Sequence, residues 1–392
     1  MIGDIMRKII LDKGQSPGDI IVFTGAVRDL KTAHPDYQIQ INTCCSAIFE
    51  NNPHITSLDS FLKDPDVVPV RANLEKIGYS NIEKPIEVFR ELTKQRKIIA
   101  KLQNDKLWHY YHVDTPVNAD GTYSKEGILF SAFQKTESKD FDVERYDVPY
   151  DDIHNSGWSG RHFSTAYHLQ LEKLLGVPVP QTSLLPDIHL SNEEKGWTSQ
   201  VEDEFGYRGK FWLICPGHKI DYPLKEWGFD NWQSFVDILR DRVQFVSIGE
   251  KVAGHSHAAL DGVLDLVGKT DLRQLIRLAY HAQGAVCHVT SVMHLMAAWQ
   301  KPCVVIAGGR EPRRWEMYPN HRYLDTNGCL PCCSYDGCWL SGHIALNEET
   351  DKMENKRCKQ MVGGSPQCMQ MIKPERVAEE LMNYYLGGML KF

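Results

Sequence analysis

The chain has 392 residues, of which 42% are hydrophobic and 24% are charged, an ordinary balance for a globular protein. Its length exceeds what one compact core usually holds, so we expect two domains. The formal net charge of −7 argues against a dedicated nucleic-acid surface, which needs an excess of lysine and arginine.

The location is predicted from three features of the whole chain. No apolar run approaches the roughly 18–20 residues needed to span a bilayer. The first ten residues, MIGDIMRKII, contain too short an apolar run for a signal peptide. We therefore expect a cytoplasmic protein, in which eleven cysteines favour metal ligation or free thiols over disulfides.

The beginning of the chain has a pattern typical of a βαβ unit. Residues 19–23 are predicted to form a short buried strand, residues 24–33 a helix and residues 37–41 a second strand. Residues 65–151 are irregular and rich in Asp, Lys and Tyr. We place the domain boundary at 190/191, just before a highly charged segment. This gives one predicted domain at 1–190 and a second at 191–392.

A polar, glycine-rich loop precedes a helix predicted at residues 165–175. Four of its residues are candidates for an acceptor site, with the aromatic ring stacking on a sugar and the arginine pairing with phosphate. They are His154, Trp158, Arg161 and His162. Such residues are also found in ordinary helix caps.

The second half alternates strands and helices at the spacing of a parallel sheet with helices on both faces. The predicted strands are 211–215, 244–248, 263–267, 284–287 and 303–307. The predicted helices are 231–240, 271–280, 290–299 and 374–386. The fold class is therefore α/β.

Residues 288–312 read as a polar turn, a helix, a buried strand and a second turn. In a parallel sheet both turns open on the edge where phosphate-bearing ligands bind. Thr290 and Ser291 offer hydroxyl groups beside the free N–H groups of the helix start, which favours an anion site. His294, one turn further on, either binds phosphate or packs inside the protein.

The second turn contains Gly308, Gly309, Arg310 and Glu311. Its two glycines let the backbone approach a ligand closely, so these four residues are candidates for donor binding. The sequence has neither a GxGxxG motif nor a P-loop lysine motif, and NAD-dependent or ATP-driven chemistry lacks support.

Four segments follow one another in a recognisable order. They are Gly18-Asp19-Ile20-Ile21 with His34-Pro35-Asp36, Pro216-Gly217 with Leu224-Lys225-Glu226-Trp227, Gly268-Lys269-Thr270-Asp271-Leu272, and Met293-His294-Leu295 with Gly308, Glu311-Pro312 and Trp315. Their order and spacing resemble glycosyltransferase family 9, which includes the ADP-heptose:lipopolysaccharide heptosyltransferases. The resemblance covers the first ~40 residues and most of 210–380.

The resemblance implies a GT-B architecture, in which two Rossmann-like domains face each other across a cleft. It implies that the second domain holds the nucleotide-sugar donor, and that the transfer inverts the sugar without a metal in the chemistry. Family members usually carry Asp before the hydroxyl pair, whereas this chain has Val289 preceded by His288. This departure leaves the identity of the sugar open.

Two residues acquire roles through the resemblance. Asp19 is the implied general base, because a carboxylate facing the acceptor can take a proton from the attacking hydroxyl. A turn aspartate after glycine is the alternative. Lys225 is implied to neutralise the diphosphate as the nucleotide leaves, although Gly217, His218 and Lys219 are nearby candidates for donor binding.

The cysteine-rich run CLPCCSYDGC at residues 329–338 is spaced for a metal. Cys329 and Cys332 form a chelating pair, and the resemblance suggests Cys338 and Cys368 as further ligands. The competitors are Cys333, Cys358 and His343. Zinc is the default metal and iron the alternative, in a structural role; a metal-free thiol cluster or a disulfide is the other interpretation.

We expect an inverting glycosyltransferase that moves a sugar, with heptose as the candidate, from a donor such as ADP-heptose to a hydroxyl acceptor. Lipopolysaccharide or another surface glycan is the first acceptor class. A protein acceptor is second, because autotransporter-modifying heptosyltransferases carry a metal-binding cysteine motif; a modified nucleobase is third.

Two alternatives belong to other classes. A non-catalytic scaffold that binds metal and nucleotide is motivated by Val289, and an epimerase-like GT-B enzyme would turn over donor without an acceptor. The sequence leaves open the oligomeric state and a peripheral membrane contact.

Overall fold

The computed structural model describes residues 7–14, 16–43, 45–56, 143–149, 160–197, 200–219, 223–251, 255–257, 259–334, 337–338, 358 and 360–392, and the backbone of 69–72, 108–114 and 129–134. The chain forms two compact units. Unit 1 comprises Met1–Ser16 and Leu30–Pro149, and unit 2 comprises Pro17–Asp29 and Tyr150–Phe392. The domain boundary proposed from the sequence, at 190/191, falls inside unit 2.

The described part of unit 1 contains two three-stranded sheets. Its strands are β1 (Lys8–Asp12), β2 (Gln38–Asn42), β3 (Pro69–Ala72), β4 (Trp108–Asp114), β5 (Leu129–Gln134) and β6 (Val143–Asp147). The first sheet is parallel in the order β2-β1-β6, and the second is antiparallel in the order β3-β5-β4.

The strand predicted at residues 19–23 is wrong, because these residues lie in helix α1 (Pro17–Ala33). The buried strand of this region is β1, which ends before the helix begins. A short, continuous apolar run cannot be assigned to a strand or a helix by periodicity alone. Pro17 supplies the deciding signal, because proline favours the first turn of a helix and residues 20–23 are buried on all sides there.

Unit 2 is built around one six-stranded parallel sheet. The strands of unit 2, which include two further short pairs outside this sheet, are β7 (Phe211–Cys215), β8 (His218–Lys219), β9 (Gln244–Ser247), β10 (His255–Ser256), β11 (Leu264–Asp265), β12 (Gly284–His288), β13 (Cys303–Gly308), β14 (His321–Asp325), β15 (Met361–Val362) and β16 (Ser365–Pro366). The main sheet has the order β11-β9-β7-β12-β13-β14, and every neighbouring pair in it is parallel. The predicted parallel sheet is therefore confirmed.

Helices follow the strands of unit 2 as the sequence predicts. They are α2 (Phe163–Leu175), α3 (Asn192–Gly196), α4 (Gln200–Phe205), α5 (Phe229–Leu239), α6 (Leu272–His281), α7 (Ser291–Ala298), α8 (Arg313–Glu316), α9 (Gln367–Gln370) and α10 (Pro374–Leu386). The predicted N-cap of α6 is confirmed, because the Asp271 side chain accepts from Gln274 N and the Gln274 side chain accepts from Asp271 N.

The core of unit 2 lies between the sheet and the pair α5 and α10. Trp232 and Phe235 of α5 pack with Leu381 of α10, and all three are buried. The indole of Trp227 donates to Ile372 O at 2.7 Å, which satisfies its polar atom inside the core. Burial of each large side chain stabilises the fold by roughly 1.5–3 kcal/mol. This core fixes the sheet whose carboxyl edge carries the candidate site.

No helix in the described residues is long and apolar enough to cross a membrane.

Candidate functional site

Three turns meet at the carboxyl edge of the unit 2 sheet. They follow β7, β12 and β13, which lie side by side in parallel register. Polar ligands bind at such an edge in open α/β sheets. The predicted donor residues on these turns are Gly217, His218, Thr290, Ser291, Gly308, Gly309, Arg310 and Glu311.

Lys225 links two of these turns. Its Nζ donates to Val289 O at 2.7 Å and lies 3.3 Å from Glu311 Oε1. The Glu311 carboxylate is buried and also pairs with Arg310. Two cations therefore lie at one buried carboxylate beside the start of α7, where they can also face an anionic ligand. Val289 contributes its backbone oxygen here.

His218 makes an ion pair with Glu226 behind the first turn. Burial opposes ionisation of Glu226, but the hydrogen bond and the charge of His218 outweigh burial and lower the pKa of Glu226. Glu226 also accepts from Gly228 N at 2.7 Å. The side chain of Lys219 lies outside the described residues.

His257 packs against two of the turns, and the sequence reasoning missed it. A Cβ atom at Gly217 would lie 2.1 Å from the His257 ring, and one at Gly249 would lie 2.0 Å from it. Both positions must therefore lack a side chain while the ring stays in place. The two glycines were the available signal, because paired glycines at strand ends indicate a close approach.

His288 is fully buried beneath the turn after β12. Neither of its ring nitrogens has a hydrogen-bond partner within the described part of the chain, and its ring meets Trp232 edge-on at 5.4 Å. Burial lowers the pKa of His288 to about 4. The imidazole is therefore neutral at physiological pH and forms the floor of the turn.

The start of α7 combines the candidate anion site with a packed histidine. Thr290 Oγ1 is buried and has no hydrogen-bond partner among the described residues. His294 shares a hydrogen bond of 2.9 Å with the Tyr318 hydroxyl, and burial lowers its pKa well below the usual value. Of the two alternatives for His294, the structure has the packed one.

Asp19 lies in the first turn of α1, not at the opening of a strand as expected. Its Oδ1 accepts from the Tyr167 hydroxyl at 3.2 Å. The free N–H groups and the dipole at a helix start favour a carboxylate. A Cβ atom at the preceding Gly18 would lie 3.7 Å from Ser291 Cα and 3.4 Å from His294 Cδ2. The beginnings of α1 and α7 are therefore in contact, which brings Asp19 beside the anion site.

The buried Asp29 fastens residues 17–29 to the rest of unit 2. The Asp29 carboxylate accepts from Thr182 N at 2.9 Å and from Thr182 Oγ1 at 2.6 Å, and it bonds His168 Nε2 at 2.8 Å. At Gly25 a Cβ atom would lie 2.8 Å from Leu185 O, so the helix can approach this segment only with glycine there. These contacts fix the position of Asp19.

Glu316 is a buried carboxyl group that the sequence reasoning missed. Its Oε2 has no hydrogen-bond partner among the described residues. Burial raises its pKa well above the usual value, the charges of Glu311 and Asp19 add to the rise, and Lys225 opposes it. The surroundings of Glu316 therefore favour its neutral form. The only sequence signal for Glu316 is that it directly follows Trp315, the last residue of the segments that resemble glycosyltransferase family 9.

The candidate acceptor loop is only partly described. His154 and Trp158 lie outside the described residues, and Arg161 is exposed. His162 caps α2, because its Nδ1 accepts from Ser164 N at 3.1 Å, and burial lowers its pKa to about 4. The described residues of this loop therefore form a helix cap.

Four cysteines line one small cavity beside the turn after β13. The cavity has a volume of about 20 Å³. Its cysteines are Cys332, Cys338, Cys358 and Cys368. Cys329 is exposed and does not line it, while the thiol of buried Cys333 lies 3.5 Å from two backbone oxygens. His343 lies outside the described residues.

The chemistry of this cavity fits a metal ion. Burial and the neighbouring thiols raise the pKa of Cys332 to about 12, and burial raises the pKa of Cys358 and Cys368. A raised pKa favours the neutral thiol, whereas a bound metal ion favours the thiolate, because metals bind thiolates. No three thiol sulfurs in the described part of the chain lie within 4.8 Å of one another, so an ion would draw the ligands closer together.

Comparison with known proteins identifies the fold. Residues 150–336 match the model of glycosyltransferase family 9 (heptosyltransferase). Comparison with curated proteins finds no match. The solved structure of a family 9 glycosyl transferase from Veillonella parvula DSM 2008 is similar, with 14% identity and a TM-score of 0.55 over 97% of this chain and 98% of that chain.

Two further structures share the fold. The ADP-heptose lps heptosyltransferase II of E. coli has 14% identity and a TM-score of 0.53, over 98% of this chain and 100% of that chain. The iron-containing dodecameric glycosyltransferase TibC of enterotoxigenic E. coli H10407 has 13% identity and a TM-score of 0.53, over 97% of this chain and 78% of that chain. The predicted α/β fold of GT-B type is confirmed, and residues 150–336 match the model of the predicted family.

Proposed function

We propose that this chain, which belongs to glycosyltransferase family 9 through residues 150–336 and is a glycosyltransferase, moves a sugar from a nucleoside-diphosphate donor to a hydroxyl acceptor with inversion. The observation that carries the proposal is the contact between the starts of α1 and α7. This contact joins a carboxylate candidate for the base to a candidate site for the donor phosphates.

Asp19 is the proposed base. As the acceptor oxygen attacks the anomeric carbon, its proton passes to the Asp19 carboxylate. The new carbon–oxygen bond forms while the bond from the anomeric carbon to the diphosphate breaks, and the electron pair leaves with the nucleotide. Attack opposite the leaving group inverts the sugar.

Lys225 and the start of α7 are proposed to stabilise the leaving diphosphate. The Lys225 ammonium lies at the Val289 carbonyl, next to the Thr290 hydroxyl and the N–H groups of the helix. Negative charge that builds on the diphosphate would be met by a fixed cation and a helix dipole. Arg310, which shares Glu311 with Lys225, supplies a second cation at the same edge.

The proposed donor is ADP-heptose or a related nucleotide sugar. One structural neighbour is named for ADP-heptose, and TibC has been solved in complex with ADP-D-beta-D-heptose. The hydrophobic Val289 at the position of the usual aspartate is the reason to test other sugars. We propose lipopolysaccharide or another surface glycan as the acceptor, with a protein acceptor as the second candidate.

A structural metal is proposed at the four-cysteine cavity. Cys332, Cys338, Cys358 and Cys368 would hold it, and iron is a candidate beside zinc because TibC contains iron. The ion would join segments far apart in sequence next to Arg310, and it would supply no step of the transfer. The ten described cysteines are free thiols, which fits a reducing compartment such as the cytoplasm.

A thermal-shift panel tests the proposed function. Purified protein of known metal content is melted with ADP, UDP, GDP and CDP and with their sugars, since a ligand stabilises the folded state that binds it. We expect ADP and ADP-heptose to raise the melting temperature. If another nucleotide and its sugar raise the melting temperature instead, the proposed sugar transfer stands but heptose is ruled out as the sugar. No shift with any of them would contradict the proposal and favour a metal-binding scaffold.

A further inference from the structure

Tyr167 lies in the interior of unit 2 with its hydroxyl on the proposed base. The side chain is 1% exposed, and the hydroxyl donates to Asp19 Oδ1 at 3.2 Å. Asp19 itself is half-buried, and a hydrogen bond to a carboxylate is stronger than one between neutral groups.

The tyrosine ring is held from two sides. Phe23, one turn along α1 from Asp19, meets the Tyr167 ring edge-on at 5.7 Å between centroids. The next residue of α2, His168, bonds Asp29 of α1 at 2.8 Å. Two adjacent residues of α2 therefore bond two aspartates of α1, and the hydroxyl of Tyr167 cannot move without moving this packing.

The hydrogen bond gives the Asp19 carboxylate a direction. One oxygen is engaged by Tyr167, which restricts rotation about the bond between Cβ and Cγ. The second oxygen of the same group then points in a defined direction. A base works best when its oxygen is within hydrogen-bond reach of the proton and correctly oriented.

We propose that Tyr167 is a positioning residue that holds Asp19 in the orientation required to accept the acceptor proton. The inference rests on the proposed function, because it needs Asp19 to be the base. Tyr167 keeps its own proton throughout: it donates a hydrogen bond before and during the transfer, and the acceptor proton goes to Asp19.

The test is the variant Tyr167→Phe, which removes the hydroxyl and keeps the ring that packs on Phe23. We expect kcat for donor turnover to fall about ten- to hundredfold, the scale of a hydrogen bond to a charged group. The donor KM should stay within about threefold, because Tyr167 acts on the base.

Tyr385→Phe is the matched control. Tyr385 is another buried tyrosine of unit 2, and its hydroxyl accepts from Trp212 Nε1 at 2.8 Å in the core, so its loss lowers stability without touching Asp19. We expect this variant to melt earlier than the wild type and to keep kcat and the pH profile.

The double variant Asp19→Asn with Tyr167→Phe separates positioning from a structural role. If Tyr167 acts through Asp19, the double variant is as slow as Asp19→Asn alone. If the losses multiply in the double variant, or if kcat is unchanged in Tyr167→Phe, the inference is overturned. The proposed function would still stand as long as Asp19→Asn is inactive. An active Asp19→Asn would overturn both.

Discussion

The sheet edge of unit 2 and the four-cysteine cavity beside it are organised in different ways. At the edge, strands and helices bring Lys225, Glu311 and the start of α7 together, and the polar groups already pair with one another. In the cavity the thiols come from loops and short helical turns, and burial raises the pKa of Cys332, Cys358 and Cys368. A site on regular elements is preformed, whereas a site on loops depends on the ion that it binds.

The largest expected change comes from removing the cation of the sheet edge. Lys225→Met should lower kcat for donor turnover about hundredfold, because one fixed charge on the leaving group is lost. Steady-state kinetics with the donor identified by thermal shift measures it. Lys173→Met, at an exposed position near the end of α2, is the control. An equal loss in both variants would refute a specific role for Lys225.

Next in size is the effect of breaking the cavity. Cys358→Ser should lose the bound metal and melt several degrees lower, because metal binding contributes to folding. Cys329→Ser, at the exposed cysteine outside the cavity, should keep both metal content and melting temperature. Elemental analysis of the purified variants measures the metal content, and thermal unfolding measures the melting temperature. Metal loss in Cys329→Ser with retention in Cys358→Ser would restore the ligand set expected from the sequence.

A smaller change is expected from the neutral carboxyl group behind the edge. Burial raises the pKa of Glu316 above its unfolded value near 4.5, so its contribution to stability is full below that pH and is lost as pH rises through the folded-state pKa. Glu316→Gln should therefore be more stable relative to the wild type at pH 8 than at pH 4.

Denaturant unfolding of both proteins at the two pH values measures this difference. Asp19, Glu311, Lys225 and Arg310 all act on the charge of Glu316, so the comparison is made without ligand. A constant difference between the proteins across this range would contradict a raised pKa for Glu316.

The smallest expected effect concerns the hydroxyl at the start of α7. Thr290→Val should change stability by less than about 0.5 kcal/mol, because Thr290 makes no side-chain cap bond. The same variant should weaken donor binding about threefold to tenfold, as one hydrogen bond to the phosphates is lost. Calorimetry of donor binding decides it; unchanged affinity would remove Thr290 from the donor site.

Much of the unit 2 sheet was predictable from sequence because each strand is a short apolar run bounded by turn residues. β7 and α10 match their predicted bounds, and α7 differs by one residue at each end. Strand and helix segments here differ in the length of their apolar run and in the residues that flank it, and these local features are enough to tell the two apart.

The beginning of the chain was misread because its signals are ambiguous. Residues 19–23 are apolar enough for a buried strand, and only Pro17 marks a helix start. The partners of Asp19 and Asp29 come from residues about 150 positions later in the chain. Such pairings depend on tertiary packing, which no local pattern of Tyr167 or Thr182 reveals.

The cysteine ligands could not be assigned from spacing alone for the same reason. Cys329 and Cys332 have the spacing of a chelating pair, but the first is exposed and the second lines the cavity with Cys358. Which thiols meet is decided by how the loop packs on the turn after β13, and Gly309 and Arg310 form one wall of that packing.

The most direct test of the central claim measures donor binding and donor turnover side by side for the wild type and Asp19→Asn. We expect the variant to bind the donor with an affinity within about threefold of the wild type and to turn it over at least about a hundredfold more slowly, the scale of a lost general base. Turnover by Asp19→Asn at the wild-type rate would contradict the account.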